Sequence, residues 1–434
     1  MSDAPLRAYL NARLLDPAQE RDEIGTLVTQ GDRIIDSGAH VRAPADAETL
    51  DCTGLAILPG LVDMQVFTGE PGEEHRETIA TVSQAAAAGG VTNIAMMPNT
   101  NPVIDDAALV DYVLRRARAT AIVRVHPMAA ITKNCDGQIM TEFGLLQEAG
   151  ALGFTDGDRA VMNALTMRRA LSYAANFDAL IMQHAMDQDL QSAGVVHESE
   201  LATRLGLAGI PVAAETTIID RDLRLVELTG ARYHIAQISA ADSVAAIRAA
   251  KARGLNVSCS VSATHLMLNE NDVANYRTFA KLNPPLRSET DRLALIDGIA
   301  DGTIDVVVSG HNPQDAEAKR QTFANSAYGT VGVETLLAGV LTLHHADELD
   351  LLPLLATITS RPAALLGLPA GSLEAGRKAD FSLVDLDAPW VVNADNLRSK
   401  SQNAAIDGRK VQGVVEACYV SGHRIFDIRD NNNE

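Results

Sequence analysis

Cysteine is scarce in this chain: four residues, Cys52, Cys135, Cys259 and Cys418, in 434. They stand far apart, with no Cys-x-x-Cys pair and no Cys/His cluster. Their spacing excludes a disulfide scaffold or a thiolate zinc site and points to a reduced, cytoplasmic protein with buried thiols. Basic residues are outnumbered, 36 Lys and Arg against 56 Asp and Glu, for a formal charge of −20. Such a surface repels phosphate backbones, so no nucleic-acid partner is expected. No apolar stretch approaches the ~18 residues of a membrane span. The start, MSDAPLRAYL, lacks the basic residues and apolar run of a signal peptide. Neither GGVTN nor GTVGVET has the glycine spacing and lysine of a nucleotide loop.

What is present is a long chain, 47% apolar, with room for a large core and two domains. Residues 5 to 55 read as short strands broken by turns, as do residues from 371 onward. The two ends are expected to pair into one small β-sandwich domain, 1–55 together with 371–434, with the final DIRDNNNE a disordered tail. Between them, 56–370 alternates apolar strands with amphipathic helices. Eight strands are predicted: Ile57–Phe67, Thr92–Met97, Ala121–Ile131, Ala151–Thr155, Ala179–His184, Tyr233–Ser239, Asn256–Ser262 and Thr303–Ser309. The fold class is therefore α/β, a distorted TIM (β/α)8 barrel with a flanking β-sandwich, ahead of an open doubly wound sheet. In a barrel the functional groups sit at the C-terminal strand ends.

The first of those ends, in LPGLVDMQVFTGEPG, puts Gln65 and Phe67 on one side of the strand, since alternate residues share a face. Other ends carry MMPNTNP, FTD with Asp156, QHAMD with His184 and Asp187, AQIS with Gln237, SATH with His265, and SGHNPQ with Gly310 and His311. Together with GFTDGDRAVMNALTMRRALSYA, KLNPPLRSETDRLALIDGIADGTIDVVVSGHNP and AYGTVGVET, these stretches resemble the dihydroorotases of the amidohydrolase superfamily over nearly the whole chain.

The resemblance implies a zinc site at six positions, and this chain departs from the pattern at four. Two zinc-binding histidines correspond to Gln65 and Phe67, a third to Gln237, and the catalytic aspartate to Gly310. Only Asp156 and His184 keep a ligand type, and the last histidine of the strand-eight motif corresponds to Gln314. The arginine that grips the substrate carboxylate corresponds to Gly69, whereas Asn99 and Asn283 persist. An amide is a weak neutral donor, and a phenyl ring or a glycine donates nothing, while a catalytic zinc needs about three ligands and an open position for water.

The expectation is a catalytically inactive dihydroorotase-like chain without zinc, a pseudoenzyme serving as assembly partner of aspartate transcarbamoylase in pyrimidine synthesis. The alternative is an active amidohydrolase on a cyclic amide or imide, with an unusual or absent metal. No base is expected beside Ser239, Ser262 or Ser309. His184 and His311 are expected to be hydrogen-bonded structural residues, His234 to meet backbone acceptors, and His344 and His345 to be solvated. Asn99 and Asn283 should tie loop backbone. A hard-cation site at Asp156, Asp158 and Asp187 is the weaker reading of those carboxylates.

Overall fold

The structure, a computed structural model, describes residues 4–433; expectations that fall on residues 1–3 and 434 lie outside it. The parallel strands form two main sheets, beside a separate short pair of Val196–His197 with Gly209–Ile210. One runs Leu61–Val66, Val91–Met96, Arg124–Pro127; the other runs Ile181–His184, Tyr233–Ala236, Val257–Ser262, Val306–Val308. Parallel bridges from Phe154 to Ala129 and to Ile181 join the sheets on one side, and Val66 to His311 joins them on the other. The strand expected at Ala151–Thr155 is thus reduced to Phe154. Its neighbours Gly153 and Asp156 are drawn into other contacts, the first packed under Met128 and the second turned to Thr132.

These strands are β-branched and buried on both faces, as parallel strands flanked by helices must be. The inward side chains Val62, Met64, Met128, Met182, Val306 and Val308 make one apolar cluster. Helices cover the outside. Ile79–Ala88 opens with a capping box between Thr78 and Thr81, and Ala107–Thr120 and Ala164–Ala174 start at Asp106 and Asn163. Each capping side chain accepts from backbone N–H groups that the helix itself leaves free.

Both chain ends share one eight-stranded sheet. Its order is His423–Asp427, Lys410–Val420, Phe381–Val391, Ala56–Pro59, Leu6–Asp16, Arg21–Gln30, Arg33–Gly38, with Glu48–Asp51 also against Leu6–Asp16. The run expected as one strand, Ile57–Phe67, is therefore split. Ala56–Pro59 pairs antiparallel with Phe381–Val391, and Leu61–Val66 enters the parallel sheet. Gly60 is the break, and a Cβ there would lie 2.2 Å from Thr92 Oγ1. The tail expected to be disordered instead continues as a short 3-10 helix, Ile428–Asn433, behind an Asp427 held by Arg429 at 2.6 Å and Arg424 at 2.6 Å.

All four cysteines are free and buried, and burial raises every thiol pKa, to about 11 for Cys52 and about 12 for Cys418. His344 and His345 are not solvated: their rings meet the carbonyls of Leu349 and Leu386. No described helix is long and apolar enough to cross a membrane.

The helix after the last parallel strand is fastened to the C-terminal segment by Glu334, whose Oε2 accepts from Arg398 N at 2.8 Å. Burial raises the Glu334 carboxyl to about 7, above the ordinary 4.5. The folded chain holds that proton where the unfolded chain has released it. Its contribution is therefore full below about pH 4.5 and lost as pH rises through 7. Glu334→Gln cannot ionise, so relative to it the wild type should lose up to about 3 kcal/mol between those limits. Urea unfolding at a series of pH values measures this, and parallel curves would contradict it.

Candidate active site

A cavity of about 330 Å³ opens at the C-terminal ends of the parallel strands. It gathers Gln65, Phe67, Asn99, His184, Gln237, Asn283, Gly310 and Gln314, so eight of the ten positions matched to the family pattern line one space. Asp156 and Gly69 do not line it.

Each departure has a local cause. Phe67 completes the apolar interior cluster, closing it from the cavity side. Gly310 has φ +61°, and a Cβ there would lie 2.8 Å from Gln237 Nε2 and 3.2 Å from Ser262 Cβ. The Gln237 amide thus fills the space that a side chain at 310 would use. Gly69 has φ +70°, and its Cβ would lie 2.8 Å from Glu73 O, so its loop turns back where no side chain fits. Asp156 is turned away, accepting from Thr132 N at 2.9 Å and Thr132 Oγ1 at 2.5 Å. Burial raises its pKa to about 6.

The polar lining is short of partners. Gln65 Oε1, Asn99 Oδ1, Asn283 Oδ1 and His184 Nε2 are buried without a hydrogen-bond partner. Such groups cost about 1–3 kcal/mol each unless something supplies the missing bond. The expectation that Asn99 and Asn283 tie loop backbone therefore fails. Asn99 Nδ2 instead donates to Asp158 at 3.3 Å. His184 has the Asn283 side chain as its polar neighbour, though not in good hydrogen-bond geometry; burial lowers its pKa against the opposing pull of Asp158, Glu215 and Asn283, so its ring stays neutral at neutral pH. His234 meets Ser258 Oγ at 2.8 Å rather than backbone. His311 does fit its structural role: its Nδ1 accepts from Gly332 N at 3.2 Å, leaving Nε2 toward Glu77.

Arg76 and Asn312 on the lining escaped sequence reasoning, as did the pairing of Ser262 with His265. Ser262 Oγ lies 2.7 Å from His265 Nδ1, and His265 Nε2 lies 3.1 Å from Pro284 O. A base does therefore stand beside Ser262, and the Glu215 carboxylate stands beside Ser239. Burial pulls that imidazole down to about 4, and Ser262 also accepts from His265 N as a helix cap, so the pair is a weak nucleophile–base couple. The three-residue spacing at the helix start was its signal. For Arg76 the signal was isolation: it is the only Lys or Arg between Arg42 and Arg115.

Residues 54–243 match the family described as "Dihydro-orotase-like". A dihydroorotase of Wolbachia sp. subsp. Drosophila simulans is 43% identical over 421 residues, covering 96% of this chain and 95% of its own. The chain belongs to the dihydroorotase family. A dihydroorotase of Anaplasma phagocytophilum is 42% identical over 425 residues, with 96% and 95% covered. Among solved structures, an L-hydantoinase (dihydropyrimidinase) from Arthrobacter aurescens superposes with a TM-score of 0.87 at 24% identity, covering 97% of this chain and 96% of its own. That likeness establishes the fold, α/β of the TIM-barrel type found in amidohydrolases.

These relatives correct two expectations. Proteins this similar over the full length carry the name dihydroorotase, which overturns the reading as a catalytically inactive chain. The expectation of no zinc or other cofactor is overturned with it, because dihydroorotases and hydantoinases are metal-dependent amidohydrolases. The residues at the six positions nevertheless do not fit a zinc ion as they stand. Both Asp156 oxygens are taken by Thr132, and Phe67 and Gly310 offer no donor. No group of three or more His, Cys, Asp or Glu among the described residues could hold a metal. The trio Asp156, Asp158 and Asp187 is not brought together either, since Asp187 caps the helix Gln188–Gln191.

The contact between positions 237 and 310 is testable by coupling. Gly310→Ala should cost about 1–2 kcal/mol, from its left-handed backbone and from displacing Gln237. In a Gln237→Ala background the cost should fall by about 0.5 kcal/mol or more. Guanidinium unfolding of the four proteins measures it, and strict additivity would show that the two side chains do not compete.

Proposed function

We propose that this chain is an active amidohydrolase that opens or closes a cyclic amide of the dihydroorotate kind. The support that carries the reading is identity above 40% to dihydroorotases over almost the full length. The cavity chemistry agrees with it. A ring amide offers N–H donors and carbonyl acceptors. The unpartnered oxygens of Gln65, Asn99 and Asn283 can accept the first, while the Gln237 amide can donate to the second. Asp158 and the neutral imidazole of His184 are the groups placed to move a proton at the reacting bond. In the same proposal the bridged parallel sheets are a distorted (β/α)8 barrel spanning 56–370. The shared end sheet is its β-sandwich flank, built from 1–55 and 371–434.

Ring opening of dihydroorotate, followed by loss of its ultraviolet absorbance with each common divalent cation supplied in turn, tests this reading. Turnover is expected with at least one of them or with no cation added. His184→Ala and Asp158→Asn should each lower kcat by about 100-fold or more while leaving the thermal midpoint within a few degrees. A silent wild type under every metal condition would sink the proposal.

A further inference from the structure

Ser262 ends the strand Val257–Ser262, and the helix Ala263–Met267 follows at once, so Ser262 and His265 reach the cavity together. The tautomer of His265 is fixed by its neighbours. Nε2 lies 3.1 Å from Pro284 O, and a carbonyl oxygen can only accept, so Nε2 carries the ring hydrogen. Burial lowers the pKa of His265 to about 4, so the ring is neutral at neutral pH and Nδ1 is bare. The 2.7 Å contact therefore runs from the Ser262 hydroxyl to Nδ1. That is the direction in which a base takes the proton of a nucleophile, with the carbonyl holding the ring from behind. Ser262 Oγ also accepts from His265 N at 3.3 Å, which occupies one of its two lone pairs and leaves the other.

A donor stands nearby. The point that a Cβ on Gly310 would take lies 3.2 Å from Ser262 Cβ and 2.8 Å from Gln237 Nε2, so serine and amide are close neighbours. The backbone N–H of Gln237 is bonded to Ser260 Oγ, whereas its side-chain amide has no partner among the described residues. Gln237 also holds φ +53°, a left-handed backbone that a non-glycine residue adopts only under constraint. Such residues concentrate at reaction centres. A nucleophile, an oriented base and a free amide donor are the parts that acyl transfer needs.

We propose that Ser262 is the nucleophile of ring opening, with His265 as its base and Gln237 as the donor to the carbonyl oxygen. The proposal rests on the cyclic-amide reading above and supplies its attacking atom. Oγ bonds to the ring carbonyl carbon while its proton passes to His265 Nδ1, and Gln237 Nε2 donates to the oxygen as it gains charge. The carbon–nitrogen bond then breaks and the nitrogen takes that proton, leaving the opened ring as an ester on Ser262. Water adds to the ester, its proton passes through Nδ1 to Oγ, and the carboxylic acid leaves. A weakly basic imidazole is a strong acid once protonated, which suits release of an amide nitrogen.

Dihydroorotate and an acylating ester, p-nitrophenyl acetate, test the proposal apart from the reading beneath it. The wild type should release about one nitrophenolate per chain in a burst and carry the acetyl group on Ser262, located by peptide mass spectrometry. Ser262→Ala should give no burst, and its kcat on dihydroorotate should fall about 1,000-fold or more. No acetyl group on Ser262, or a Ser262→Ala enzyme within about tenfold of the wild type, overturns the proposal. The acetyl readout requires no ring opening. A wild type acetylated at Ser262 that opens no cyclic amide keeps Ser262 as an acyl-transfer nucleophile while the cyclic-amide reading fails. If Ser262→Ala does not fold, the position of the acetyl group in the wild type decides alone.

Discussion

The seam between the first and last parallel strands carries the site. Asp63 is wholly buried, and its Oδ1 accepts from Ser309 N at 3.2 Å and from Gln65 N at 3.3 Å. Just beyond, Phe67 N donates to His311 O at 2.9 Å. These bonds fix the level at which the two strands end, and so where Gln65, Phe67 and Gly310 meet the cavity. Burial raises the Asp63 carboxyl to about 6, against the pull of the Ser309 and Gln65 bonds. A carboxylate in that position is costly to desolvate, and the backbone donors of two strands offset the cost only while the seam is closed. The register of the whole mouth therefore depends on that one side chain.

A second buried carboxylate does the same work on the far side. Glu215 accepts from Ser239 N at 2.8 Å and from Ser243 Oγ at 2.6 Å, with Arg287 at 3.7 Å, and both side chains are sealed from solvent. Arg287 in turn donates to Ile210 O. The cavity wall is thus assembled from side chains that reach across from distant segments. Even in this frame Asp63 Oδ2 and Arg287 Nη2 are buried without a hydrogen-bond partner, as are the amide oxygens that line the cavity.

Much of this was legible in the sequence because it follows from periodicity. Alternation placed Gln65 and Phe67 on one face, and β-branched runs marked seven of the eight expected strands. What was hidden depends on partners far away in the chain. Nothing near Gly60 says that the apolar run around it changes sheets; the reason is Thr92. Nothing near Asp156 says that it turns outward; the reason is Thr132, 24 residues earlier. The step from missing ligands to a missing activity failed for a similar cause. It judged six positions singly, whereas the cavity that five of them share is lined by a set of amides, one arginine and one carboxylate.

The crowding between Gln237 and Gly310 also constrains how such a site changes over generations. A carboxylate introduced at 310 into this chain would meet an occupied space, and a histidine placed at 237 would meet a glycine with nothing to offer it. The close atom is the far end of a flexible amide, so a side chain at 310 requires Gln237 to swing aside and the left-handed backbone at 310 to bear a Cβ.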